Sequence, residues 1–199
     1  MKLRGVDFAR QEALFHLQEY ARRFNKNEVP IPIPVEQVAE LYFALAIERK
    51  ELKEGISGQL FIGDKKIVLN QREALTRQRF TMAHELGHFC LHAGYASMPP
   101  CPGGAVARME TEANRFAAAL LLPANLVLLS LAVEVSRRAE AAKDEGRIYE
   151  LDPSELDLLS SRLATQFLVS KRAMEIRLSK AFNIRRPSQL SLELGIESA

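Results

Sequence analysis

The chain has 199 residues, of which 47% are hydrophobic and 26% charged, and a formal net charge of +2. This is the composition of a globular protein that can bury roughly 70% of its unfolded surface without covalent staples. The net charge is too small to imply nucleic acid as a partner of the whole chain, although residues 162–186 hold seven basic side chains against Glu175 alone. Two cysteines, Cys90 and Cys101, make no disulfide framework and fit a reducing compartment. The N-terminus is charged throughout, without the apolar stretch of a signal peptide. The most apolar window, residues 117–135, is interrupted by Pro123, Asn125 and Glu134, so a cytoplasmic protein without a membrane span is expected.

Residues 7–25 read as an amphipathic helix with Phe8, Leu14, Phe15 and Leu17 towards one side. The alternating prolines of residues 29–34 remove donors and hold an extended backbone. A second helix is predicted from Val35 to Ala46. Two strand-like runs follow, at residues 58–62 and 65–69. Gly63-Asp64 between them predicts a hairpin, glycine supplying the positive φ of a tight turn. The period is helical again over residues 77–92. The Pro/Gly-rich residues 98–104 form a loop, and a further helix over 108–122 stops at Pro123. A long helical segment covers 125–145. Asp152-Pro153-Ser154 predicts a helix start with Asp152 as N-cap, and two short helices occupy 154–166 and 170–181.

Chemistry enters with Phe80-Thr81-Met82-Ala83-His84-Glu85-Leu86-Gly87-His88, a His-Glu-x-x-His inside a helical window. Residues i and i+4 stand one above the other on a helix face, so His84 and His88 can converge on one tetrahedral zinc ion. Glu85 lies about 100° round the helix, beside such an ion rather than on it. There it can act as general base for water and later as proton donor to a leaving amine. Met82, Leu86, Phe89 and Cys90 fall on the opposite face and are expected in a core. Gly87 lacks a Cβ where another backbone could approach.

A third protein ligand is required if the fourth position is left for water. His92 stands about 12 Å from His84 along a straight helix, too far for ready sharing of one ion, and is expected at a helix end or cleft rim. His16 is expected to be structural. Glu110 and Glu112 are the stronger candidates. They flank opposite margins of the apolar face formed by Met109, Ala113, Phe116, Ala117 and Leu120, and helical geometry does not choose between them.

The run 79–88, together with Glu112-Ala113-Asn114-Arg115-Phe116-Ala117-Ala118-Ala119-Leu120-Leu121-Leu122-Pro123, closely resembles the ImmA/IrrE family of metallopeptidases. The likeness extends over residues 29–123 and more loosely to the chain's end. It implies an α+β, gluzincin-like fold, a small sheet with a later helix supplying a glutamate; the domains expected are a zinc metallopeptidase domain over 1–124 and a helical region over 125–199, in which the residues near 154–182 read as a helix-turn-helix-like pair. It further implies His84 and His88 as ligands, Glu85 as catalytic base and Glu112, preceding Ala-Asn, as third ligand, with Glu110 in reserve. Zinc is the expected cofactor, with manganese or another divalent ion as substitute. Known members cleave helix-turn-helix repressors that control stress-response or mobile-element genes, so the implied partner is such a repressor. Its scissile segment would pair, as a strand, with the edge at Ile67–Leu69. Candidates for oxyanion or substrate contact are His92, Tyr95 and Arg115. Some gluzincins place an aspartate four residues after the ligand glutamate. Counted from Glu112, that position holds Phe116.

Residues 163–178 have the pattern of a helix-turn-helix, with Ser170 as N-cap of the second helix and Leu168 where a glycine is usual. Lys171, Arg172 and Arg177 would then be the DNA or partner contacts. The alternative to a peptidase is accordingly a DNA-binding or repressor-docking regulator whose zinc site is structural or vestigial. Cys101 could approach the metal as a thiolate, although a free loop cysteine is the simpler expectation.

Overall fold

The computed structural model describes residues 6–93, 105–141 and 153–182. The chain divides into two compact units, residues 1–121 and 122–199. The first is mixed α and β, the second helical. No single helix among the described residues is long and apolar enough to cross a membrane.

In the first unit α1 (Val6–Arg23) leads into the proline-rich segment. It buries Ala9, Ala13, Leu17 and Tyr20, a stripe at three- and four-residue spacing. Phe8 and Phe15, expected on the core side, are exposed. Alanine at two of these four buried positions lets the neighbouring helix α4 (Ala105–Leu121) come close, which larger rings would prevent. Asn25 takes a left-handed conformation with φ 48° just past the helix end. The Lys26 N–H donates to the Ala21 carbonyl at 2.9 Å, a Schellman closure. Arg79, half-buried, donates to the Ile33 carbonyl at 2.7 Å and ties the proline-rich segment to the metal-motif helix.

The helix predicted to reach Ala46 is shorter. After α2 (Val35–Gln37) the backbone widens into a π-helical turn (Val38–Tyr42). Ala44 then adopts φ 55°, and Ala46–Lys50 is a strand, β1, parallel to β3. Its single large apolar residue, Ile47, hides it from a periodicity reading. Its charges behave as those of an edge strand, Arg49 pairing with Glu36 at 2.7 Å and Glu48 with Lys66 at 3.4 Å.

The hairpin is present: β2 (Gly58–Phe61) is antiparallel to β3 (Lys66–Asn70). The positive φ of its turn falls on Lys65 (47°), not on Gly63, and the Lys65 N–H closes the turn on the Ile62 carbonyl at 3.2 Å. Strand order is β1-β3-β2, so β3 is central and both its edges are paired. Ile67–Leu69 therefore offers no edge to a substrate, contrary to expectation. Its continuous burial is that of an inner strand.

Helix α3 (Leu75–His92) lies on this sheet. A Cβ at Gly58 of β2 would stand 2.5 Å from the Thr81 Cγ2, which shows how closely α3 approaches. Of the four residues expected in the core, Met82 and Leu86 are buried, whereas Phe89 and Cys90 are partly exposed. Helix α4 crosses α3 at Gly87. A Cβ there would be 3.0 Å from the Ala113 Cα and 3.1 Å from the Phe116 Cβ, so the missing side chain admits the second helix.

The second unit comprises α5 (Ala124–Ala141), α6 (Pro153–Phe167) and α7 (Lys171–Phe182). Val127, Leu131, Leu159, Leu163, Phe167, Met174 and Leu178 are buried. Three residues join α6 to α7. Leu168 takes φ 54° and the Val169 N–H donates to the Ala164 carbonyl at 3.0 Å. Ser170 caps α7, its Oγ accepting from the Ala173 N–H at 3.2 Å. Asp152 lies outside the described residues.

Candidate metal centre

The motif histidines stand one turn apart on α3, and both project towards α4. His84 Nε2 and His88 Nε2 are 3.0 Å apart. The carboxylate that meets them belongs to Glu110, whose Oε2 is 3.3 Å from His84 Nε2 and whose Oε1 is 3.2 Å from His88 Nε2. One ligand atom from each of these three residues falls within a common 4.8 Å.

Glu112, the residue read from the resemblance as third ligand, goes elsewhere. Its Oε2 is 3.0 Å from His92 Nε2 and its Oε1 accepts from Arg108 Nε at 2.9 Å. The reason is the phase of α4 at the crossing. With Ala113 against Gly87, Glu110 lies about 60° to one side of Ala113 and Glu112 about 100° to the other. Two carboxylates that were equivalent on an isolated helix are thereby sorted.

Asn114, four residues after Glu110, shares the Glu110 side of the helix. Its Oδ1 is 3.1 Å from His84 Nδ1. Counted from Glu110, the position that some gluzincins fill with aspartate is thus filled by an amide. The spacing Glu110-x-x-x-Asn114 is the signal that would have found it.

His92 is buried rather than at a rim. Its Nδ1 is 3.2 Å from His88 Nδ1 and its Nε2 is engaged by Glu112, so neither ring nitrogen is turned to a substrate. Arg115 is exposed about 160° round α4 from Ala113, facing away from the crossing. Tyr95 and Cys101 lie outside the described residues. Cys90 is largely buried, and burial pushes its thiol pKa up, as for an inert core cysteine. His16 packs edge-on against Phe43 at 4.9 Å and reaches the Tyr42 hydroxyl with Nδ1 at 3.2 Å, a structural role.

The electrostatics suit proton chemistry beside a cation. Burial, reinforced by the negative charge of Glu110, pushes the Glu85 carboxyl up to about 7. Burial and then the adjacent His84 hold His88 below the ordinary imidazole value, favouring the neutral ring that a metal ligand must be. At Glu112 burial opposes ionisation, but hydrogen bonds from His92 and Arg108 outweigh it and lower the pKa.

Two imidazoles and one carboxylate are a donor set for zinc or a similar divalent ion. An ion about 2.0–2.1 Å from each of three tetrahedrally disposed donors separates those donors by about 3.3–3.4 Å. The two Nε2 atoms, 3.0 Å apart, are near that spacing, and the Glu110 carboxylate sets one oxygen 3.3 Å from His84 Nε2 and the other 3.2 Å from His88 Nε2.

Fold and cluster together define an α+β domain with a His-His-Glu group able to hold a metal. The sequence profile of Peptidase_M78, the IrrE N-terminal-like domain, matches residues 44–179, and the chain belongs to that family. The matched stretch runs through both compact units and includes the whole cluster. Among solved structures the chain is similar to a Mycobacterium tuberculosis transcriptional regulator, at 17% identity and a TM-score of 0.51. That similarity covers 85% of this chain and 46% of the other, so this chain spans about half the length of that regulator. Among curated proteins no sequence matches.

Proposed function

We propose that the chain is a metal-dependent endopeptidase, with zinc as the ion its donors suit best and manganese as an alternative. His84, His88 and Glu110 are assigned as the ligands and Glu85 as the general base. One observation carries this reading: two imidazoles from one helix and a carboxylate from another bring one ligand atom each within 4.8 Å of one another, with the half-buried Glu85 next to His84 in the chain. A divalent ion held there supplies a Lewis acid and makes water nucleophilic at neutral pH. Glu85 accepts the proton from the attacking water and returns it to the amine as the peptide bond breaks. A cation in the cluster would also draw the Glu85 pKa down from about 7, favouring the ionised base.

β1 and β2 each lack a second strand partner among the described residues, and the outer edge of β2 is the one assigned to an extended substrate segment because β2 packs against the motif helix α3. Gly58, on that strand, packs against Thr81, three residues before His84. Family membership supports a protein substrate, and the proposed target is a helix-turn-helix transcriptional repressor in the cytoplasm. Co-expression with the product of a neighbouring repressor gene tests this by mass spectrometry. Defined fragments are expected with the parent chain and none with Glu85→Gln. Intact repressor with both chains would overturn the reading.

The α6–α7 pair favours a second reading, a DNA-binding or repressor-docking regulator, because Leu168 takes the left-handed conformation usual for glycine in such turns. Binding to duplex DNA that weakens steeply with salt and resists chelators would support it.

A further inference from the structure

Glu112 and His92 lie beside the proposed metal site without entering it, and their hydrogen bonds form an ordered chain. Arg108 Nε donates to Glu112 Oε1 at 2.9 Å. A carboxylate so paired is an acceptor, so the His92 Nε2 that faces Oε2 at 3.0 Å carries the proton. Where that is the only proton on the ring, His92 presents Nδ1 as an acceptor. That atom is 3.2 Å from His88 Nδ1, which must therefore be the protonated donor. The lone pair of His88 is left on Nε2, the atom facing His84 Nε2 and the Glu110 carboxylate. In this arrangement His88 and His92 hold one proton each, and both protons point away from the metal cluster.

We infer that His92 and Glu112 are positioning residues: through consecutive hydrogen bonds they hold His88 in the tautomer and orientation that aim its Nε2 at the metal. This rests on the assignment of His84, His88 and Glu110 as ligands. It explains why an acidic residue two positions from Glu110 is engaged by a buried histidine. Outer partners of this kind fix ring orientation and raise ligand basicity, and their loss costs roughly 10–100-fold in metal affinity. His84 is held differently, by the single amide oxygen of Asn114.

Two readouts on the full chain test the inference. In chelator-treated protein at pH 8, with histidine labelled by nitrogen-15, long-range proton–nitrogen spectra should show His88 protonated at Nδ1. His92→Ala should abolish that preference. In competition between protein and a chelator for Zn2+, His92→Ala and Glu112→Ala should each weaken binding about 10–100-fold. His88→Ala and Glu110→Ala should weaken it far more. His92→Gln should recover most of the affinity, because its amide oxygen can accept from His88 Nδ1–H. Glu112→Ala alters a partly exposed residue, so it remains informative if His92→Ala fails to fold. Unchanged tautomer and affinity in both alanine variants would overturn the inference, as would loss in Glu112→Ala as complete as in His88→Ala. If the parent chain bound no Zn2+, the ligand assignment would fail and the positioning role with it, whereas the spectra would still decide whether the hydrogen-bond chain sets the tautomer.

Discussion

Helices α3 and α4 in the first unit and α6 and α7 in the second are both neighbouring pairs bearing ionisable residues, but the charges are arranged differently. In the second unit cations meet anions directly. Lys171 bonds Asp157, Arg172 pairs with Glu175 at 3.6 Å, and Arg162 with Glu134 at 3.4 Å. Such half-exposed pairs are each worth about 1 kcal/mol or less and give the backbone no special task. In the first unit two imidazole Nε2 atoms and a carboxylate face one another, and outer partners occupy the remaining nitrogens. Polar atoms gathered so that their lone pairs converge point to a bound cation. Polar atoms that neutralise one another point to a solvated face.

The largest expected contrast is in metal binding. Glu110→Ala should lower Zn2+ affinity by more than the roughly 10–100-fold that loss of an outer partner costs, as measured by chelator competition. Arg172→Ala in the other pair should leave it unchanged.

A pH-dependent stability difference comes next. The folded chain keeps a proton on Glu85 up to about 7, whereas an ordinary glutamate titrates near 4.5, so folded protein binds more protons than unfolded protein between those values. Stability of the chelator-treated parent should therefore fall as pH rises through that window. Glu85→Gln should not follow it, and its advantage should grow to at most about 3 kcal/mol above pH 7, from denaturant melts at several pH values. Equal pH profiles for the two chains would contradict the burial assigned to Glu85.

Gly87→Ala should cost about 1–3 kcal/mol, because its Cβ meets the Ala113 backbone at 3.0 Å and one helix must retreat. Since α4 carries Glu110, Zn2+ affinity should fall with it. Smallest of all, Lys171→Ala should shift stability by no more than about 1 kcal/mol, since Lys171 and Asp157 are both exposed.

What could be read in advance followed from local rules. The four-residue spacing of His84 and His88, the core face of Met82 and Leu86 and the need for glycine at position 87 are all properties of one helix, and all are seen. The helix pair around Ser170 was legible through its cap for the same reason. What escaped depends on distant partners. β1 has too little apolar alternation to register, and only pairing with β3 makes it a strand. The centrality of β3 follows from that missed strand. Whether Glu110 or Glu112 meets the imidazoles depends on which residue of α4 sits against Gly87, and no pattern within α4 records the crossing. Asn114 and His92 acquire their roles only once Glu110 and Glu112 are told apart.

The most direct measurement is an anomalous difference map at the zinc absorption edge from crystals grown with Zn2+. One peak is expected, bonded to His84 Nε2, His88 Nε2 and a Glu110 oxygen, with Glu112 still on His92. A peak bonded to Glu112 in place of Glu110, or no peak between the two imidazoles, would contradict it.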